Sequence, residues 1–501
     1  MLTAIFVTLK YLKYTVIHFL LNNKLINTNM PPGMIMVDFI RYHQHLTGTK
    51  IGCREGDCGA CTILTGELKG GRVLYNAVTS CLMPLANARG KHIVTIEGIN
   101  IKGLNAVQQA ICDEGATQCG FCTPGIVMSL TGFCLKNKPA DQKACSTQNA
   151  VAAVDGNICR CTGYKSIERA AQRIATLLQE NQDEHTIQSL ISKSVLPTYF
   201  AGVLQQLESI NDLFILSEEE TAKETLPFNV SLNGTAFING GTDLYVQQPE
   251  AMVHIAGSFM LDRTELKGIS RQGNKCFIGG AATVTDILQS PVMQEYFPGI
   301  SLFIKLVSST PIRNMATIAG NFINASPIGD LSIFFLALNA QLVLSDDKST
   351  RQLPLQDLFQ GYKTLAKKPS EYIKQIWFSL PDKNTLFNFE KVSKRTHLDI
   401  ASVNTALFIT IEDNIITQAR LSAGGVGPIP FFLAGASEFL VGKEIFSYTI
   451  QQAIQQALKE VTPISDIRGT ATYKRLLLKQ LIKAHFITLF PYLGKEELIY
   501  V

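Results

Sequence analysis

Eight of the twelve cysteines fall into two sets whose spacing is that of metal ligands. The first set lies in Gly52-Cys53-Arg54-Glu55-Gly56-Asp57-Cys58-Gly59-Ala60-Cys61, a C-x4-C-x2-C pattern, with Cys81 following after nineteen intervening residues. This is the plant-type 2Fe–2S spacing. A short loop can supply three thiolates to a flat cluster only by wrapping around it. Gly56 and Gly59 permit the positive φ that turns backbone N–H groups toward sulfur. The competing reading is a structural zinc site, but zinc is held by two C-x2-4-C knuckles, and this spacing differs from that. The second set is Gln118-Cys119-Gly120-Phe121-Cys122-Thr123-Pro124-Gly125 with Cys159-Arg160-Cys161-Thr162-Gly163-Tyr164. Its C-x2-C and C-x-C pairs each open a helix, where the dipole stabilises thiolates. A C-x-C is too tight for an ordinary zinc knuckle. Of the remaining thiols, Cys112 and Cys134 lie on apolar helical faces and read as small core residues. Cys145 and Cys276 suggest no role.

These sites must be carried by a chain of 501 residues, enough for three or four domains. At 46% hydrophobic and 17% charged it can bury a sizeable core and is not disordered. A net charge of +4 gives no warrant for nucleic-acid binding. Thiols in ligand-like sets rather than a disulfide framework point to the cytoplasm. The apolar N-terminus is interrupted by Lys10, Lys13 and His18, so it offers neither a membrane span nor a signal peptide. Residues 1–13 read as an extension.

The elements around the first set are strands and one helix. Tyr14 to Leu21, a turn at Asn22-Asn23 and Lys24 to Ile26 predict a hairpin. Met36 to His45 carries apolar residues at helical spacing. Strands are expected from Ile63, over Arg72 to Val78 after Gly70-Gly71, and over His92 to Glu97. One small sheet on one helix, with the metal loop at its edge, is a β-grasp pattern. From Leu104 the period becomes helical. Asn105 is the expected N-cap of one helix and Gly115 its stop, while Thr123 and Pro124 open another. A further helix follows Gly163, with Ile167, Ala170, Ala171 and Ile174 on its buried face. Residues 179–194 are polar and read as a linker, with a different domain beginning near Val195.

In that domain, Phe237-Ile238-Asn239-Gly240-Gly241-Thr242-Asp243-Leu244 runs from a buried strand into two glycines and a hydroxyl, a turn that can admit a pyrophosphate. By itself it reads better as a plain tight turn. Support comes from Thr317-Ile318-Ala319-Gly320-Asn321 and Ser326-Pro327-Ile328-Gly329-Asp330, small and polar residues in an apolar region, suited to lie against a planar ligand. Asp330 reads as an acceptor for a ribityl or ribose hydroxyl, as a helix N-cap, or both. No GxGxxG or GxxxxGK[ST] occurs, so a Rossmann site and a P-loop are unsupported. From about residue 385 strands predominate, and two helices over 448–460 and 470–485 close the chain. Arg395, Asp399 and Asp466 to Gly469 read as a surface ion pair and a helix start.

In this order, GCREGDCGAC, QCGFCTPG and CRCTGY resemble the two-cluster iron–sulfur module of the xanthine oxidase family of molybdenum hydroxylases. GGTDL, TIAGNFINASPIGD and RTHLDIASV resemble that family's FAD domain. The likeness covers about residues 14–490, and the fusion is similar to the small subunit of the family's bacterial purine-oxidising members. It implies an α+β multidomain chain. Residues 14–98 would form a β-grasp 2Fe–2S ferredoxin domain and 99–178 a four-helix-type 2Fe–2S domain. After the 179–194 linker, 195–382 would form an α+β, PCMH-like FAD-binding domain and 383–501 a C-terminal α/β flavoprotein subdomain. By the resemblance, Cys53, Cys58, Cys61 and Cys81 hold one cluster and Cys119, Cys122, Cys159 and Cys161 the other. The helical-domain cluster would lie nearer the molybdopterin, with Gln118 approaching the pterin. Phe237 to Leu244, Thr317 to Asn321 and Asp330 would line FAD. The expected partner is a large subunit bearing the molybdopterin cofactor, in a heterotetramer of two small and two large subunits. Electrons from hypoxanthine or xanthine, or from an aldehyde or N-heterocycle, would then pass through both clusters to FAD and on to NAD or oxygen.

Overall fold

The computed structural model describes residues 16–136, 145–179, 186–210 and 236–492, apart from 254, 256, 262, 396 and 397. The 1–13 extension, Tyr14, most of the polar run after Gln179, and Thr396 and His397 of the RTHLDIASV stretch lie outside them. The chain divides into two compact units, one of residues 1–262 with 310–315, the other of 263–309 with 316–501.

The first unit opens with the expected hairpin, β1 (Ile17–Leu21) and β2 (Lys24–Thr28), turning where Asn22 adopts φ 55°. A helical segment over Met36–Asp38 and Phe39–His43 packs Met36, Val37, Phe39 and Ile40 into the core. β3 (Thr62–Lys69) and β4 (Arg72–Thr79) pair in register from Thr62↔Thr79 to Lys69↔Arg72. Gly70 and Gly71, both at positive φ, make the two-residue turn that matches strand twist. β5 (His92–Val94) completes a sheet of order β2-β1-β5-β3-β4 with β1 and β5 parallel. β5 is shorter than the sequence predicts. The Thr95 amide is taken by the Asn22 side chain at 2.9 Å, and the chain turns into a 3-10 segment at Ile96–Ile99.

Helices follow. α1 (Ala106–Asp113) starts at Asn105 with a complete capping box to Gln108. α2 (Thr123–Leu135) has Cys122, not Thr123, at its N-cap and proline in its first turn. α3 (Thr147–Ala153) and α4 (Lys165–Gln179) pack on α2, and α4 buries Ile167, Ala170, Ala171, Ile174 and Leu178 along one face. Two expectations change here. Cys112 is exposed, one position off the buried stripe of Val107, Ala110 and Ile111. The end of the polar 179–194 segment is ordered as α5 (Ile187–Ser192), and Leu190, Val195, Leu196 and Phe200 are buried with the helical core. Apolar residues thus carry the first unit past the boundary expected near Val195.

The first unit also supplies β6 (Ala236–Ile238) and β7 (Gly257–Phe259), and the second unit holds a five-stranded sheet of β8 (Ile269–Gln272), β9 (Lys275–Gly279), β10 (Gln341–Ser345), β11 (Thr350–Pro354) and β12 (Tyr372–Ser379), ordered β11-β10-β12-β9-β8. A second, antiparallel sheet runs β13 (Thr385–Val392), β14 (Val403–Glu412), β15 (Ile415–Gly424), β16 (Phe431–Phe432). Between them α7 (Asp330–Ala337), preceded by α6 (Ile318–Asn324), buries every residue from Leu331 to Ala337. Phe297, Phe334, Phe335, Phe378 and Phe387 meet there edge to face. The closing helices, α8 (Ala434–Leu440), α9 (Ser447–Glu460) and α10 (Ala471–Leu489), pack on the second sheet.

Candidate functional site

The loop after Lys50 wraps its own sulfurs in amides. Arg54, Gly56 and Gly59 take positive φ at 59°, 78° and 68°. Cys53 Sγ accepts from the Glu55 and Cys58 amides at 3.3 and 3.4 Å, and Cys58 Sγ accepts from the Cys53 amide at 3.4 Å. The Gly56 amide is directed at Cys81 and the Ala60 amide at Cys58. Arg54 is anchored by a bidentate pair with Asp38 at 2.7 and 3.0 Å. Cys61 and Cys81 are buried, Cys53 and Cys58 half-buried.

The four sulfurs interact as two pairs. The Cys58 thiol and the surrounding amides pull Cys53 down to about 4, while Cys58, sharing that proton and partly buried, is pushed far above the ordinary thiol range. Contact with Cys81 lowers Cys61, and Cys81 rises in turn. Within each pair one thiol is drawn toward the thiolate, the form that binds metal, at its neighbour's expense.

The helical set repeats the pairing with fewer amides. Cys119 and Cys161 lie 3.6 Å apart at the surface. Cys122, at the start of α2, contacts Cys159 and is pushed up to about 12, chiefly by burial. Burial also opposes ionisation of Cys159, but the Thr162 hydroxyl at 3.1 Å and the Thr162 and Cys161 amides overcome it and lower its pKa. The Tyr164 hydroxyl accepts from the Cys159 amide at 3.2 Å. Among the described residues no three His, Cys, Asp or Glu side chains converge as one metal ion would require. In each set the four sulfurs contact one another as two pairs. Gln118 is exposed beside this set.

The flavin expectations fall on both units. In the first, β6 (Ala236–Ile238) runs parallel to β7 (Gly257–Phe259) and enters the turn Asn239–Asp243 before a helical turn at Leu244–Gln247. Gly241 sits at φ 81° against the Tyr245 ring, and the Tyr245 hydroxyl donates to the Gly33 carbonyl at 2.7 Å. Ile238 and Tyr245 belong to the ferredoxin-side core. In the second, Thr317 caps α6 by accepting the Gly320 amide at 3.1 Å. Asn321 accepts from the Ser332 amide and hydroxyl at 3.1 and 3.2 Å. Asp330 is the first residue of α7, whose N-cap is Gly329. Its carboxylate accepts from buried Lys391 at 2.7 Å and from Asn404 at 2.6 Å. Arg395 pairs with Asp399 at 3.3 Å, and Asp466 with Lys474 at 2.7 Å ahead of α10, as a surface pair and a helix start require.

Sequence reasoning missed Thr162, which donates to the Cys159 sulfur, and Ser80, Asn157 and Tyr164, which hold the backbone of the two cysteine loops. Thr162 and Tyr164 stand beside the C-x-C and could have been found there. Asn157 has partners 95 and 98 residues away, which no local signal reveals.

Residues 95–172 match the [2Fe-2S] binding domain, 217–381 the FAD binding domain in molybdopterin dehydrogenase, and 389–489 the CO dehydrogenase flavoprotein C-terminal domain. Xanthine dehydrogenase of Emericella nidulans is 30% identical over 92% of this chain. Over nearly its whole length the chain is similar to proteins of the xanthine oxidase family. Its α+β multidomain fold is the one that family's iron–sulfur and flavin domains share. Aldehyde oxidase 1 of Macaca fascicularis is 26% identical over 95% of the chain. The chain spans 38% and 39% of the lengths of these two relatives. Among solved structures, a carbon monoxide dehydrogenase from Hydrogenophaga pseudoflava, lacking the Mo-pyranopterin moiety, aligns over 51% of this chain and 90% of its own, with 24% identity and a TM-score of 0.49. Among the described residues no helix is long and apolar enough to cross a membrane.

Proposed function

We propose that the chain is the electron-transfer part of a xanthine dehydrogenase, working with a molybdopterin-bearing large subunit that oxidises hypoxanthine and xanthine. The observation that carries the reading is the pairing of eight cysteines into four two-sulfur sites, in a chain that also matches a FAD-binding domain. Cys53, Cys58, Cys61 and Cys81 would hold one 2Fe–2S cluster, and Cys119, Cys122, Cys159 and Cys161 the other. Phe237 to Leu244 of the first unit, and Thr317 to Asn321 and Asp330 of the second, are the residues assigned to FAD. When bound, the clusters relay single electrons and the flavin gathers two and releases them as a hydride to NAD. The protein's own part is positional. Amides and the Thr162 hydroxyl hold negative charge on sulfur, the Ser80 hydroxyl fixes the Cys61 carbonyl, and burial of Cys61 and Cys81 keeps water from that pair. A cytoplasmic heterotetramer of two small and two large subunits completes the proposal.

A second reading keeps the architecture and changes the substrate to an aldehyde or an N-heterocycle. Aldehyde oxidase relatives lie within a few per cent identity of the xanthine dehydrogenases, which favours it specifically. The first test is an absorption spectrum of the purified chain with iron, zinc and flavin assays. About four irons and one FAD per chain, with flavin and iron–sulfur bands, are expected. A colourless protein holding zinc overturns the cluster assignment. Co-expression with the large subunit and assay of hypoxanthine against aldehydes separates the two substrate readings.

A further inference from the structure

The two cysteine sets are tied to one another through the backbone between their ligands. The Ile158 amide donates to the Cys58 carbonyl at 3.0 Å, so the residue next to Cys159 of one set bonds directly to a ligand residue of the other. Asn157 closes the tie. It is 7% exposed; its Nδ2 donates to the Gly59 carbonyl at 3.0 Å, and its Oδ1 accepts from the Ser129 hydroxyl on α2 at 2.7 Å. Cys122 is the N-cap of α2, and the contact there is tight. A Cβ on Gly125 would lie 2.1 Å from the Gly59 oxygen, and one on Gly59 2.2 Å from the Gly156 oxygen. The peptide Cys58–Gly59 therefore cannot move without moving Asn157–Ile158–Cys159 and the start of α2.

We propose that Asn157 is a positioning residue that couples the two metal sites, so that occupancy of either cysteine set holds the other in its metal-binding conformation. The proposal rests on the reading of both sets as cluster ligands. A loaded set fixes its loop, and through Cys58–Ile158 and Asn157–Gly59 it fixes half of the neighbouring loop. Coupling of this kind is reciprocal at equilibrium. A packing role alone would lower stability on mutation but leave the two sites independent.

The experiment uses the full chain carrying its clusters under anaerobic conditions. Loss of each cluster to excess EDTA is followed by visible circular dichroism, with iron counted by site through the two electron paramagnetic resonance signals. Cys81→Ser and Cys119→Ser each disable one set at a ligand outside the tie. Expected is that each variant speeds loss of the remaining cluster by about tenfold, the size of one well-made buried hydrogen bond. In Asn157→Ala, and less fully in Ser129→Ala, that cross-effect shrinks to within about twofold. Asn157→Asp keeps the acceptor for Ser129 but loses the donor to Gly59, and should behave like the alanine variant. Cross-effects of full size in the Asn157 variants, or independent loss in the parent chain, overturn the proposal. Should Asn157→Ala fail to fold, Ser129→Ala and Asn157→Asp carry the same comparison. A parent chain that takes up no iron overturns the cluster reading itself, a result distinct from independent loss.

Discussion

The two cysteine sets hold four sulfurs each, in the same two-by-two arrangement and in different surroundings. The ferredoxin-side set is sunk between β3, β4 and a loop whose amides face inward, with Cys61 and Cys81 each 2% exposed. The helical set stands at the starts of α2 and α4, and Cys119 and Cys161 face solvent. Burial and the count of N–H groups on sulfur are two levers by which a protein sets cluster potential and lability. The pair of sites thus offers a sheltered centre and an open one within a single unit. Under the proposed cluster reading, the open one would be the set suited to contact another redox group, and the sheltered one the more stable.

Ligand replacement should divide them most strongly. Cys81→Ser leaves a buried polar group among Cys61, Leu82 and Met83 and removes the metal that would fill the loop. Cys119→Ser alters a solvent-facing ligand. Both are expected to lose about half of the iron. The melting temperature of the first unit should fall by roughly 10 °C for Cys81→Ser and by about a third of that for Cys119→Ser. Equal falls, measured by calorimetry with iron counted on the same samples, would remove the distinction between sheltered and open sites.

The sequence showed one of these contrasts and hid the other. The C-x4-C-x2-C, C-x2-C and C-x-C groups, the β-grasp strands, the Asn105 cap and the closing helices were legible, because each rests on spacing within a few residues. Exposure was not. The C-x2-C and C-x-C give no sign that Cys119 and Cys161 face water while Cys159 is buried. The same limit explains Cys112, whose exposure depends on which side of α1 meets α4. It also explains Asp330. Asp330 reads as a candidate ligand contact, and only the fold brings Lys391 and Asn404 to its carboxylate from 61 and 74 residues away. The shortened β5 has a similar origin, since Asn22 reaches Thr95 across 73 residues.

Thiol reactivity of the metal-free chain sharpens the comparison further, with opposite pH profiles. Cys53, drawn down to about 4 by Cys58 and by amides, is already ionised at pH 6. Its alkylation by iodoacetamide should be nearly flat from about pH 5 upward. Cys161, raised by its contact with Cys119, is protonated there, and its alkylation should climb about tenfold per pH unit until its own pKa is reached. Peptide mass spectrometry resolves the two. A Cys53 rate that climbs in parallel with that of Cys161 would show that the amide-lined loop does not hold a thiolate in the metal-free state, and the sheltered site would then owe its character to metal alone.

The smallest expected effects separate a hydrogen bond on sulfur from a charge pair beside it. Thr162→Val keeps shape but removes the hydroxyl that donates to Cys159 at 3.1 Å, leaving that buried sulfur the Thr162 and Cys161 amides and its contact with Cys122. The cost should be about 1 kcal/mol, and the Cys159 pKa should rise, since a donor to the charged form is lost. Arg54→Ala removes the pair with Asp38, whose side chains are 41% and 26% exposed, so screening leaves it about 0.5 kcal/mol or less. In 0.5 M salt the Arg54 effect should vanish while that of Thr162 persists, because salt screens exposed charges and leaves a buried hydrogen bond untouched. Denaturant midpoints at low and high salt measure both. A salt-sensitive Thr162→Val effect would mean that the field of the exposed sulfurs, rather than the local hydrogen bond, sets the state of Cys159, and the open site would then be open in its electrostatics as well as in its access.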